Sequence, residues 1–136
     1  MSPDKTMTKK YPLNKNRYKE LLYFCRQYPD WVKLVNSIPE VKSPVYVDLR
    51  FKTTIYVNPT FETVAKKEAL SKKIELVEQA ALATDGDLYS YILKGVTEGW
   101  SYDQLTLIEI PCSRSTYYDR YRKFFFILDK IQHQST

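Results

Sequence analysis

The sequence predicts a mainly α-helical fold that ends in a C-terminal helix-turn-helix. Apolar residues recur at spacings of three and four along most of the chain, which is the period of an amphipathic helix. Capping and helix-breaking residues divide this pattern into separate segments. The chain has 136 residues, of which 43% are hydrophobic and only three are glycine. One helical domain around a single core is therefore expected.

The chain is expected to begin with a mobile arm, followed by one helical domain. Residues 1–9 combine Ser, Thr, Pro and Lys without any apolar period, so they are predicted to be mobile. Residues 10–136 then form the domain. Its first helix starts near Asn14 and ends before Pro29. A short second helix is predicted from Pro29 to about Asn36.

Residues 45–57 differ from the rest, because they are rich in β-branched and aromatic side chains with partial alternation. This composition is typical of strands. The segment contains no Gly or Asn to form a tight turn. Two interpretations stay open, a small β-hairpin at about 45–57 and an extended connecting arm.

A long helix is predicted from about Pro59 to Ala83. Asn58 supplies a cap at its start, and no helix breaker follows until Asp85 and Gly86. Its apolar stripe consists of Leu70, Ile74, Val77 and Ala81. Such a stripe is either part of the core of the chain or, through its first three residues, the seam of a homodimer.

Two shorter helices are predicted next. The first has about ten residues and closes at Gly99; its apolar face contains Leu88, Tyr91, Ile92 and Val96. Ser101 and Gln104 then have the spacing of a capping box, which starts a helix of about two turns. Leu105 and Ile108 are expected on the buried face of that helix.

The final helix is predicted to start at Arg114, after Pro111 breaks the preceding helix and Ser113 caps the new one. Its core face contains Tyr117, Tyr121, Phe124, Leu128 and Ile131, flanked by Tyr118 and Phe125. Residues 101–131 thus have the outline of a helix-turn-helix. The turn lacks the usual Gly and is about two residues longer than the commonest form.

The outer face of the final helix is predicted to bind double-stranded DNA. A recognition helix presents its first side chains to base edges, where Arg114 can bind guanine at two points and Asp119 can accept from cytosine. Basic residues further along suit phosphates. The candidate DNA-binding residues are Arg114, Ser115, Thr116, Tyr118, Asp119, Arg120, Arg122 and Lys123. The competing interpretation is an ordinary solvated helix face.

Charge supports a polyanionic partner. The net charge is +5, and residues 1–33 hold eight basic and three acidic side chains. Catalysis is not expected, because His133, the only histidine, lies in a polar tail and no paired carboxylates or Gly-rich phosphate loop are present. Cys25 and Cys112 stand far apart, so no metal, cofactor or disulfide is expected.

No run of 18 apolar residues and no signal-peptide pattern occurs, which predicts a cytoplasmic protein without a membrane segment. Three stretches of the chain carry a family resemblance: residues 14–21 with 28–31, residues 70–78, and residues 111–124. The chain resembles the late-gene transcriptional regulators of phages and prophages of Gram-positive bacteria, of the RinA and ArpU type. The resemblance implies activation of a late promoter in a bacterial host, with the final helix on DNA and earlier elements on a partner such as RNA polymerase.

Two other functions are consistent with the sequence. A small terminase subunit, or another phage DNA-packaging factor, would also join a helix-turn-helix to a long oligomerisation helix. A protein-interaction module that acts on a host factor would instead use the twelve tyrosines and two tryptophans as its binding surface.

Overall fold

The computed structural model describes residues 10–38, 44–48, 53–56 and 61–135, with only the backbone described for 44–48, 53–56, 61 and 135. The described residues form α1 (Lys15–Arg26), α2 (Tyr28–Ser37), β1 (Pro44–Asp48), β2 (Thr53–Tyr56), α3 (Phe61–Thr84), α4 (Tyr89–Glu98), α5 (Tyr102–Thr106) and α6 (Arg114–Ser135). The prediction of a mainly helical fold is confirmed. The arm predicted for residues 1–9 lies outside the described residues.

The first two helices follow directly on each other. Asn14 caps α1 by accepting a hydrogen bond from the backbone N–H of Asn16 at 2.8 Å. Gln27 ends α1, and α2 starts at once with Pro29 in its first turn, where a missing N–H costs nothing. Trp31 is buried, and its ring packs edge-on against Phe24 with 4.8 Å between ring centroids. The predicted break between two helices near Pro29 is therefore confirmed.

Two short strands lie in the segment where the sequence left a hairpin and an extended arm open. β1 and β2 pair antiparallel, with Tyr46 opposite Ile55 and an irregularity between Pro44 and Tyr46. Residues 49–52, which connect the strands, are outside the described part of the chain. The segment rich in β-branched residues thus contains two paired strands, as its composition favours. They are a small addition to a mainly helical fold.

The apolar stripe of α3 belongs to the core of the chain. Leu70, Val77 and Ala81 are buried, and Ile74 is half-buried against them. This face of α3 packs against α2 and α6. The stripe is therefore covered by other helices of the same chain. A homodimer seam through Leu70, Ile74 and Val77 would require the core to open.

The helix α6 lies at the centre of the core and packs against α1, α3 and α4. Its fully buried side chains include Tyr117, Phe124 and Leu128, as the three-and-four spacing predicted. Tyr121 is also buried, and its hydroxyl lies 2.7 Å from the hydroxyl of Tyr18 on α1. Among the described helices, none is long and apolar enough to cross a membrane.

Gly95 lets α6 approach the backbone of α4. A Cβ atom at Gly95 would lie 1.9 Å from the Tyr117 hydroxyl oxygen and 3.2 Å from the ring carbon that carries it. That hydroxyl is buried and has no hydrogen-bond partner among the described residues. The contact between α4 and α6 therefore depends on the missing side chain at residue 95.

We predict that Gly95→Ala lowers the free energy of unfolding by about 1–3 kcal/mol, because the added methyl group overpacks the core. Tyr117→Phe should stay within about 1 kcal/mol of the wild type, since the lost hydroxyl makes no described hydrogen bond. In the double variant Gly95→Ala/Tyr117→Phe, the ring lacks the hydroxyl oxygen that lies closest to the added methyl group. Much of the lost stability should therefore return. Urea unfolding of all four proteins gives the coupling energy.

Gly86→Ala is the control for this cycle, because an added Cβ there would meet no described atom within 4 Å. It should leave stability nearly unchanged, or raise it slightly through a less flexible unfolded chain. Additive losses in the double variant would contradict the close contact between residues 95 and 117.

Candidate nucleic-acid interface

The helix α5 starts with the predicted capping box. The Ser101 hydroxyl accepts from the Gln104 backbone N–H at 3.2 Å, and the Ser101 N–H donates to the Gln104 side chain at 2.8 Å. Leu105 is fully buried, so the expected inner face of α5 is confirmed at this residue. The helix ends at Thr106 and is shorter than the two turns that the sequence predicted.

The turn after α5 contains a strained residue. Glu109 has a φ of 63°, which is the left-handed region that usually favours Gly. Its N–H bonds to the Thr106 carbonyl, and the N–H of Ile110 bonds to the Leu105 carbonyl, which is the pattern of a Schellman helix end. Glu109 thus takes the left-handed position of this turn, in which the usual Gly is absent.

The prediction that Ile108 lies on the buried face is wrong. Ile108 is 37% exposed and Leu107 is 82% exposed, whereas Ile110 is buried. The left-handed Glu109 ends the helical period after Ile108, and the next residue, Ile110, is the one that reaches the core. The turn therefore carries an exposed apolar tip next to the start of α6.

Ser113 caps α6, as predicted. Its hydroxyl accepts from the Thr116 N–H at 3.3 Å and also donates to the Thr116 hydroxyl at 3.0 Å. The Tyr102 hydroxyl donates to the Cys112 carbonyl, which ties the start of α5 to the end of the turn. These bonds fix the start of α6 relative to α5.

Arg114 projects from the first turn of α6 and is exposed, as the sequence predicted. Its guanidinium donates to the Asp103 carboxylate and lies 5.1 Å from the centroid of the Tyr102 ring. Ser115, beside it, is also exposed. Because ion pairs between exposed side chains contribute at most about 1 kcal/mol, Arg114 can leave Asp103 at little cost.

Arg120 is not an open phosphate ligand. Its Nε donates to Asp85 at 3.1 Å, and another nitrogen of its guanidinium donates to Asp119. Asp119 also lies 3.5 Å from the Lys10 ammonium group, so its carboxylate is engaged by two cations. The expectation that Arg120 and Asp119 face outward for DNA is corrected, because both lie on a flank of α6 that faces other segments.

Arg122 and Tyr118 are both half-buried. The Arg122 Nε is buried and has no hydrogen-bond partner within the described part of the chain, so this side chain is less open to solvent than the sequence predicted. Tyr118 contacts the rings of Tyr117 and Tyr121 edge-on, at 5.0 and 6.0 Å between centroids. Lys123 is half-buried as well.

The segment before α1 runs along the flank of α6 that carries Asp119 and Phe126, which the sequence analysis did not anticipate. Lys10 pairs with Asp119, and the Tyr11 ring packs on Phe126 with 5.8 Å between centroids. The Lys10 side chain is nonetheless 66% exposed. The only sequence signal for this residue was the excess of basic side chains in residues 1–33.

Asp85 joins α6 to the connection between α3 and α4. Besides bonding Arg120, its carboxylate accepts from the backbone N–H groups of Asp87 and Leu88. Burial alone would raise the pKa of Asp85, but these hydrogen bonds outweigh it and hold the pKa below its ordinary value. The carboxylate is therefore ionised and contributes to folding at neutral pH.

Searches of protein-family models, curated proteins and solved structures found no match to this chain. The resemblance to RinA and ArpU regulators stays a prediction from the residues that suggested it.

We predict that Glu109→Gly raises the free energy of unfolding by up to about 1 kcal/mol, because Gly adopts a positive φ without a steric cost. Glu109→Val should lower it by about 1–2 kcal/mol, since a β-branched residue is disfavoured in this region. Urea denaturation of both variants tests the helix end. A destabilised Gly variant together with a tolerated Val variant would contradict the left-handed conformation.

Asp85→Asn should cost about 1 kcal/mol at pH 7, because the neutral amide loses the ion pair with Arg120 yet still accepts from the two backbone N–H groups. A carboxylate with a lowered pKa stabilises the fold above its unfolded pKa, and that contribution is lost as the pH falls through the folded pKa. The difference between wild type and variant should therefore shrink from pH 6 to pH 3. A difference that stays constant across this range would contradict the ionised pair.

Proposed function

We propose that this chain is a sequence-specific double-stranded DNA-binding protein that inserts the first turns of α6 into the major groove. The observation that carries the proposal is the start of α6, which is exposed and is held in place by its cap and by contacts with α5. Ser113 caps it, α5 supports it, and Arg114 and Ser115 point away from the core. An α-helix fits the major groove, and its first side chains meet the base edges.

The core packing of α6 supports this orientation. Tyr117, Phe124 and Leu128 hold one face against α1, α3 and α4, so a rotation of the helix would break core contacts. A rigid helix positions its side chains more reproducibly than a loop, which favours base recognition. The buried face thereby determines which residues reach the groove.

The corrected geometry reduces the set of base-reading residues. Arg114, Ser115 and Thr116 are the candidates for base contacts, and Lys123 is the candidate for phosphate contact. Asp119 would repel phosphates if it were unpaired, but Arg120 and Lys10 neutralise its charge. Arg120 and Tyr118 then act through ion pairs and ring contacts that position the helix.

The finer assignment, a phage transcriptional activator with RNA polymerase as partner, rests on the family resemblance. A groove of about 440 Å³ between α2 and α4 supports a protein contact as well, because Tyr28, Val32 and Leu93 line it. This groove also favours the second candidate, a protein-interaction module. A DNA-packaging oligomer would need a surface other than the buried stripe of α3.

We predict that Arg114→Ala weakens binding to a duplex recovered by oligonucleotide selection by about 10- to 100-fold, the value of one two-point contact with guanine. Binding to an unrelated duplex should weaken less, because only the base contact is specific. The free energy of unfolding should change by less than about 1 kcal/mol. Fluorescence anisotropy with both duplexes, together with urea unfolding, measures these quantities.

Lys72→Ala is the matched control, because Lys72 is an exposed cation on α3 and is not among the residues proposed to contact DNA. It should leave the preference between the two duplexes unchanged. Equal losses on both duplexes for Arg114→Ala would show that Arg114 contacts only the backbone. Absence of binding to any duplex at low salt would overturn the DNA proposal and favour the protein-interaction module.

A further inference from the structure

Arg114, the first residue of α6, is held by two side chains of α5. One nitrogen of its guanidinium group donates to the Asp103 carboxylate, and its guanidinium carbon lies 5.1 Å from the centroid of the Tyr102 ring. The Arg114 and Asp103 side chains are nonetheless 57% and 76% exposed. An exposed ion pair alone holds a side chain weakly, but a cation within about 6 Å of a ring centroid gains a second attraction. The guanidinium group is thus oriented in the free protein and still open to a ligand.

The Tyr102 ring is a fixed surface beside this guanidinium group. Its hydroxyl donates to the Cys112 carbonyl, and its centroid lies 6.1 Å from that of the fully buried Tyr117 ring. Asp103 is the next residue of the chain and lies in the first turn of α5, where the capping box fixes the start of the helix. Both residues that hold Arg114 are therefore positioned by α5 and by its contacts with the core.

The bond to Asp103 leaves most of the donors of Arg114 free. A guanidinium group has five N–H donors in one plane, and the bond to Asp103 uses one of them. The nitrogen that makes this bond carries two hydrogens, so the other can form a two-donor edge together with a neighbouring nitrogen. Such an edge matches the O6 and N7 acceptors that guanine presents in the major groove. Arg114 can therefore bind a guanine while it remains bound to Asp103.

From this geometry we infer that Asp103 and Tyr102 are positioning residues, which orient Arg114 for a guanine of the bound duplex before binding occurs. The inference rests on the proposed function. A long side chain that is already ordered loses less entropy on binding. The Asp103 carboxylate also repels phosphates, so it lowers affinity for every duplex while it favours the one with the correct base. These two effects have opposite signs and can be measured separately.

The test uses a duplex recovered by oligonucleotide selection, together with copies in which single guanines are replaced by 7-deazaguanine, which lacks the N7 acceptor. Fluorescence anisotropy gives the dissociation constant for each duplex. The guanine that Arg114 contacts is the one whose replacement weakens binding by the wild type but not by Arg114→Ala. The ratio of the two dissociation constants at that position is the guanine preference, which should be at least about 5-fold for the wild type.

Asp103→Ala should lower the guanine preference by about 2- to 10-fold, which corresponds to ordering one long side chain on binding. It should also tighten binding to an unrelated duplex, because a negative charge near the phosphates is removed. Glu109→Gln is the matched control, because Glu109 is another exposed acid between α5 and α6 and the change of charge is the same. The control should tighten binding to every duplex and keep the guanine preference.

Two variants of Tyr102 test the aromatic contact. Tyr102→Leu removes the ring beside the guanidinium group and should lower the guanine preference, whereas Tyr102→Phe keeps the ring and should retain most of it. Urea unfolding checks that each variant folds. Asp103 is exposed, so Asp103→Ala should fold normally, and its result decides the inference if Tyr102→Leu does not fold.

An unchanged guanine preference in Asp103→Ala, with normal binding by the wild type, would overturn the positioning roles while the proposed function stands. A raised preference would also overturn them, because Asp103 would then compete with the base for Arg114. An equal fall in Glu109→Gln would overturn them by showing that charge alone sets the preference. The same holds if no guanine of the selected site depends on Arg114. A wild-type protein that binds no duplex would remove the proposed function itself, and this inference with it.

Discussion

The contact between the Tyr117 ring and the bare backbone at Gly95 is the constraint on which the arrangement of the C-terminal helices depends. It allows α4 and α6 to approach closely, and it leaves a tyrosine hydroxyl buried without a described partner. A buried unsatisfied hydroxyl costs free energy, so the surrounding apolar contacts must offset it. Phe124, Phe125 and Leu128 supply those contacts on the same face of α6.

One face of α6 is buried in the core, so the flanks of this helix lie against other segments. The charged residues on these flanks form ion pairs there: Arg120 with Asp85, and Asp129 with Arg17. Partly buried pairs of this kind fix the rotation of a helix even where their net contribution to stability is small. They also withdraw side chains from ligand binding, so a helix rich in charge offers few open groups.

The proposed DNA contact and the groove between α2 and α4 involve different parts of the chain. The first turns of α6 carry the residues proposed for DNA, and the groove is formed by other helices. A proposed base contact and a proposed protein contact therefore involve different residues and can be separated by mutation.

The sequence by itself determined the local features: the caps at Asn14, Ser101 and Ser113, and the core face of α6. Such features depend on residues within one or two helical turns, so their spacing is sufficient to predict them. Only the tertiary structure decided the roles of the charged flanks. The partners of Arg120 and Asp119 lie 35 and 109 positions away in sequence, and no periodic pattern encodes such pairs. The left-handed Glu109 was likewise beyond prediction, because packing of Ile110 against the core overrides the usual preference for glycine there.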